Sequence, residues 1–153
     1  MWQILLSTLV FVVMLCTNPI EAIGNQAGAS NFSSTKAKRQ QEKDDVNRAL
    51  VLSAQLINKR GPTMIDSDTR LDRATVGLGE RFIYHHTLVN HRSQEIDPTS
   101  LRKILLPSIR DFVCSNKDMA LAMKYGVTYT YAYYDMDSLK ITAIDIRKDN
   151  CAP

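Results

Sequence analysis

The stretch VTYTYAYYDMDSLKITAIDIRKDNC, Val127–Cys151, sets tyrosine at every second position. Tyr129, Tyr131 and Tyr133 fall on one line, opposite Thr128, Thr130 and Ala132. Side chains alternate across a strand, so this segment predicts a strand with two unlike faces. A tyrosine row of this kind is either the aromatic half of a core or a platform on which a ligand stacks. Asp135-Met136-Asp137-Ser138 then supplies turn residues, and Leu139–Arg147 forms the second arm of a hairpin. The apolar phase of that arm runs Leu139, Ile141, Ala143 and then shifts to Ile144 and Ile146, which predicts a β-bulge near Ala143.

Outward from this hairpin, Gly126 ends a short helical piece that starts at Ser115 or Asn116 and carries Met119, Leu121 and Met123. Before it, Asp97-Pro98 combines an N-cap with a first-turn proline, and Leu101, Ile104, Leu105, Ser108 and Phe112 mark a buried stripe. Pro107 is expected to kink or split this helix. Residues 69–89 read as an earlier hairpin turning at Gly77-Leu78-Gly79-Glu80. Its second arm sets Phe82, Tyr84, His86 and Leu88 on one face and Ile83, His85, Thr87 and Val89 on the other. A first helix opens at Asp44 or Asp45, carries Val46, Ala49, Leu50, Ser53, Leu56 and Ile57 at helical spacing, and stops at Lys59-Arg60-Gly61-Pro62. The order αββαββ predicts an α+β domain: a four-stranded antiparallel sheet with two main helices on one face. In that arrangement the tyrosine row belongs to the core, with its hydroxyls at the rim.

Residues 4–16, ILLSTLVFVVMLC, form an apolar run with the length of a signal-peptide h-region, and Ile20-Glu21-Ala22 offers a cleavage site. Residues 1–22 are expected to be removed on export. Met1-Trp2-Gln3 lacks a basic residue, so an uncleaved membrane anchor is the alternative. Residues 23–42 are rich in Ser, Gly, Asn, Gln and Lys and read as a disordered linker, leaving 43–153 as a single domain. Without residues 1–22 the chain carries 19 basic and 15 acidic side chains, a formal charge of +4 spread without long runs. Nucleic acid is therefore a poor candidate partner, and a membrane is a partner only if the N-terminal segment stays attached.

Of three cysteines, Cys16 leaves with the signal segment, and Cys114 and Cys151 remain. Two cysteines in an oxidising compartment point to one disulfide, closing a loop of ~38 residues and stabilising the domain by roughly 4 kcal/mol. A reactive or metal-binding pair would need a spacing and histidine partners that the chain does not offer.

No cofactor or metal site is read from the sequence. His85 and His86 point to opposite faces, and His85 and His91 are roughly 20 Å apart along an extended strand. Asp135-Met136-Asp137 starts like a calcium loop, but Lys140 stands where such a loop needs Gly and Ile146 where it needs Glu. Asp66-Ser67-Asp68 likewise reads as a turn. The nucleophile-elbow, zincin and phosphate-loop motifs are absent from the sequence, so no catalytic residue is assigned. A hydrolase assembled from scattered Ser, His and Asp remains the alternative, to be recognised by His86 or His91 beside an Asp and a Ser. Lys38-Arg39 and Lys59-Arg60 also fit dibasic processing sites of a peptide precursor, although cutting the second would sever the first helix from its sheet.

At Thr69-Arg70-Leu71-Asp72, Val113-Cys114-Ser115-Asn116, Gly126-Val127-Thr128-Tyr129-Thr130-Tyr131 and Cys151, the chain resembles a loose group of small exported Gram-negative bacterial proteins of uncharacterised function. The resemblance implies a periplasmic setting and a Cys114–Cys151 bridge, and it brings no catalytic residues. The resulting expectation is an exported, periplasmic or extracellular, non-enzymatic binding protein whose partner is a protein or cell-envelope component. Its sheet edges would be the docking surface, and Tyr129, Tyr131 and Tyr133 a possible ligand platform.

Overall fold

The structure, a computed structural model, describes residues 27–151, with side chains from residue 34 onward. The expected signal segment and the Ala152-Pro153 tail lie outside the described residues. Helix α1 (Ala27–Arg60) is followed by strands β1 (Thr63–Met64), β2 (Thr69–Gly77) and β3 (Arg81–Leu88), helices α2 (Pro98–Ser115) and α3 (Lys117–Lys124), and strands β4 (Thr128–Tyr134) and β5 (Lys140–Ile146). The fold is α+β, with a five-stranded sheet in the order β1-β2-β3-β4-β5 and one disulfide, Cys114–Cys151, whose Cα atoms are 5.4 Å apart.

Both predicted hairpins form, β2–β3 and β4–β5, each antiparallel. The sheet as a whole differs from the predicted four-stranded antiparallel one in two ways. The two-residue β1 adds an edge strand, and β3 pairs with β4 in parallel. The second difference follows from the connection: α2 and α3 carry the chain back along the sheet, so β4 starts at the same end as β3, as in a crossover unit. Parallel pairing sets Phe82 beside Tyr129, Tyr84 beside Tyr131 and His86 beside Tyr133. Two aromatic rows that the sequence places on separate hairpins thus form a single surface.

That surface is the core face. Tyr129, Tyr131 and Tyr133 are 5%, 8% and 5% exposed, and they cluster with Phe82, Leu88, Ile144 and Ile146. The helices cover them with Leu50 and Ala54 of α1, Ile109 and Val113 of α2, and Met119 and Met123 of α3. Each pair is spaced four apart, so one stripe of each helix is buried.

Several expectations shift in detail. α1 begins at Ala27, so the polar stretch that reads as a linker is helical from there, with Gln40–Asp44 and Gln41–Asp45 side-chain pairs one turn apart on its exposed surface. α2 continues through Pro107 without splitting, and the break falls at Asn116, whose side chain accepts from the backbone N–H groups of Asp118 and Met119 and so caps α3. The carbonyl that Pro107 leaves without an N–H partner belongs to Lys103, an exposed residue, where water can satisfy it. The β5 irregularity falls between Lys140 and Thr142, two residues before its predicted place at Ala143. A second bulge, at Asp72, interrupts β2.

Candidate functional site

The helical stripes leave an opening. In α2 the buried positions are Ile109 and Val113, one step round the helix from the expected Ser108 and Phe112, and in α3 they are Met119 and Met123. Phe112, expected in the buried stripe, is instead 58% exposed, and Leu121 is 52% exposed. With Tyr125 they form one wall of a groove whose other wall is α1, through Val46, Ala49, Leu50 and Ser53. The floor is the core face itself, with half-buried Tyr84 and, beneath the opening, buried Phe82 and Tyr129. The groove encloses about 380 Å³ and is open to solvent. Its only lining residue that is charged at neutral pH is Asp118, beside Asn116 at one end.

All three tyrosines are core residues, and Tyr129 also contributes to the groove floor, 6.0 Å from Phe82 between ring centroids. Burial, with smaller contributions from Tyr84 and Asp118, pushes the Tyr129 phenol up to about 12, and burial raises Tyr84 too. Both are neutral phenols at physiological pH, so the floor is an uncharged aromatic surface suited to apolar side chains.

Behind the floor the aromatic ladder continues inward. Tyr84 stacks on Tyr131 at 4.9 Å, and His86 lies between Tyr131 and Tyr133 at 5.8 and 5.0 Å. His86 is 4% exposed, and burial, partly opposed by the Asp72 charge, lowers its pKa to about 4. Its Nδ1 and the Tyr131 hydroxyl make no hydrogen bond among the described residues.

Among the described residues, His86 and His91 do not assemble the constellation that would mark a hydrolase. His86 is enclosed by rings. His91 lies by the Asp68 carboxylate, which hydrogen bonds from Asn90 and Ser67 and then the His91 charge hold low, but Ser67 donates to the carboxylate and not to the imidazole, on an exposed turn. Asp135, buried at the closing turn, accepts from the backbone N–H groups of Asp137, Leu139 and Ser93 and serves as an internal brace. Among the described residues, no three His, Cys, Asp or Glu side chains gather to hold a metal, and no helix is long and apolar enough to cross a membrane.

The sheet edges, expected as docking surfaces, are occupied where the helices reach them. The Asn58 side chain of α1 both donates to the Ala74 carbonyl at 2.9 Å and accepts from its N–H at 2.8 Å, taking the place of a neighbouring strand along β2. On β5 the Arg102 guanidinium donates to the Ala143 carbonyl at 2.7 Å. The groove, which the sequence did not disclose, is the more accessible apolar surface. One signal for it was present: Leu105-Ile109-Val113 is as apolar a stripe as Leu101-Leu105-Phe112, and choosing it leaves Phe112 outside.

No protein-family model and no curated protein sequence matches the chain. Solved structures do share its fold. A Pseudomonas aeruginosa protein described as secreted superposes with a TM-score of 0.59 at 19% identity, over 72% of this chain and 96% of its own. The pilotin EpsS of the Vibrio vulnificus type 2 secretion system gives 0.60 at 12% identity, over 74% and 98%. AspS, the type II secretion system pilotin of Vibrio cholerae, gives 0.55 at 16% identity, over 76% and 98%. The three are related to this chain by fold.

Proposed function

We propose that this chain is an exported, non-enzymatic binding protein whose groove between α1 and the α2–α3 pair receives an apolar segment of a protein partner in the cell envelope. The observation that carries the reading is the pair Phe112 and Leu121, large apolar side chains held out of the core at the lip of an aromatic-floored groove. Exposed apolar surface concentrated beside a concave apolar floor is the arrangement by which helices and extended peptides are taken up. The partner segment presents apolar side chains at helical spacing, with a basic or amide group toward Asp118. The fold shared with two secretion-system pilotins supports a partner within an envelope secretion apparatus. The disulfide, which ties the end of α2 to the residues after β5, suits an oxidising compartment and holds one wall of the groove to the sheet.

The test is site-specific photo-crosslinking in the exporting cell. A crosslinker at Leu121 should capture one envelope protein, and a synthetic peptide of the captured segment should bind the purified chain and lose binding on Leu121→Glu. Equal capture from Ile83, on the opposite sheet face, or peptide binding indifferent to Leu121→Glu and Phe112→Asp, would remove the groove from the explanation.

A further inference from the structure

We propose that the opposite face of the sheet carries a second site, a cleft across β3, β4 and β5 that binds a phosphate-type oxyanion. Among the described residues no helix lies over this face, yet it is not flat. The register sets Ala132 against Ala143 on β5 and against His85 on β3, so two small residues form a floor. Around it rise Arg81, Arg102, Lys140, Tyr134 and His85, enclosing about 420 Å³.

The charges of the cleft are unbalanced. Arg81 donates to both Asp145 oxygens at 2.9 Å, and Thr130 donates to the same carboxylate, so that pair neutralises itself. Arg102 and Lys140 have no carboxylate within ion-pair distance among the described residues. Arg102 is held in place through a single nitrogen by its bond to the Ala143 carbonyl, leaving its remaining N–H donors for a ligand. The wall is equally fixed: the His85 ring hydrogen-bonds Thr75 at 2.8 Å and the Tyr134 hydroxyl at 3.3 Å. Two cations without a carboxylate partner, Arg102 and Lys140, beside a shallow floor match a group of charge near −2 with several acceptor oxygens, which is phosphate and not a lone carboxylate. The phosphate arrives either on a soluble ester or on a lipid headgroup.

The test is an NMR titration of the full isotope-labelled chain with inorganic phosphate at constant ionic strength, alongside vesicles of phosphatidylglycerol and of phosphatidylcholine. Saturable movement of the Thr130, Ala132 and Ala143 amide signals is expected, with groove signals at Ala49 and Leu121 still. In Arg102→Gln/Lys140→Gln the affinity should fall about tenfold or more, the loss of two close charges at the surface. Lys140→Gln alone, which removes no internal hydrogen bond, should weaken binding in the same direction. A response confined to phosphatidylglycerol vesicles and lost in these variants also supports the site and identifies a headgroup as its source. The absence of any response to phosphate and to anionic vesicles, or a response that the variants retain, overturns it. Leu121→Glu should leave this binding intact, so the two sites stand or fall separately.

Discussion

His86 makes the domain acid-sensitive in the window between its unfolded and folded pKa values. Its pKa falls from 6.5 to about 4 on folding, because the imidazole enters the space between Tyr131 and Tyr133 and loses its water. Between those two values the unfolded chain binds a proton that the folded chain refuses, so stability is fully present above 6.5 and drains away as the pH falls toward 4. The slope approaches 1.4 kcal/mol per pH unit, giving about 2 kcal/mol lost between pH 7 and pH 5 and about 3 kcal/mol by pH 4. With a urea m-value of ~1–3 kcal/mol/M, the unfolding midpoint should drop by about 1 M from pH 7 to pH 5. His85, also lowered by burial and the Arg73 charge, adds to the same slope, so the informative quantity is the difference from His86→Phe, which keeps a ring in the stack and removes the proton site. Carboxylates held low, such as Asp145 and Asp97, titrate below this window. If His86→Phe loses as much stability between pH 7 and pH 5 as the native chain, the burial argument is wrong. Should that variant not fold, His86→Gln at the same two pH values decides the matter.

Three further outcomes are expected. Cys114→Ser should lower stability by about 4 kcal/mol, the entropy of the freed loop, with a matching loss of exported yield; an unchanged urea midpoint would show that the bridge contributes nothing. Asp135→Asn should cost about 2 kcal/mol, because an amide that keeps its oxygen on the Asp137 and Leu139 N–H groups turns its NH2 toward the Ser93 N–H, and hydrogen exchange at Ser93 should quicken. Gly126→Ala should cost about 1–2 kcal/mol from backbone strain alone: Gly126 has φ +98°, and its added Cβ would meet nothing within 4 Å. A Tm equal to the native value would contradict that last expectation.

Both hairpins, the helix caps at Asp97 and Asn116 and the disulfide were legible in the sequence because each is specified locally, by alternation, by a side chain reaching its own helix start, or by counting two cysteines. What escaped is what depends on two distant segments at once. Parallel pairing of β3 with β4 is decided by where α2 and α3 deliver the chain, and no residue within either strand encodes it. The helical stripes failed for a related reason. Ile104, Leu105, Ile109, Phe112 and Val113 are all apolar, so two overlapping stripes fit α2 equally well, and only the sheet beneath selects one.

The groove is the consequence of that selection. A helix with more apolar positions than one stripe can bury must leave some exposed, and α2 exposes Ile104 and Phe112 while α3 exposes Leu121. Ile104 stands away from the groove and by itself needs no explanation. Phe112 and Leu121 converge on a floor made of the same tyrosine row that builds the core, at the point where α1 stops short of α3. The tyrosine row thus has one positional distinction: all three rings are buried in the core, and Tyr129 is the one that also lines the groove floor. Filling the gap from within should distinguish the two roles. Ala49→Phe on the α1 wall should leave the unfolding free energy within about 0.5 kcal/mol of native, since Ala49 is exposed, while blocking the crosslink from Leu121. Loss of stability without loss of the crosslink would leave Tyr129 a core residue alone and the groove empty of function.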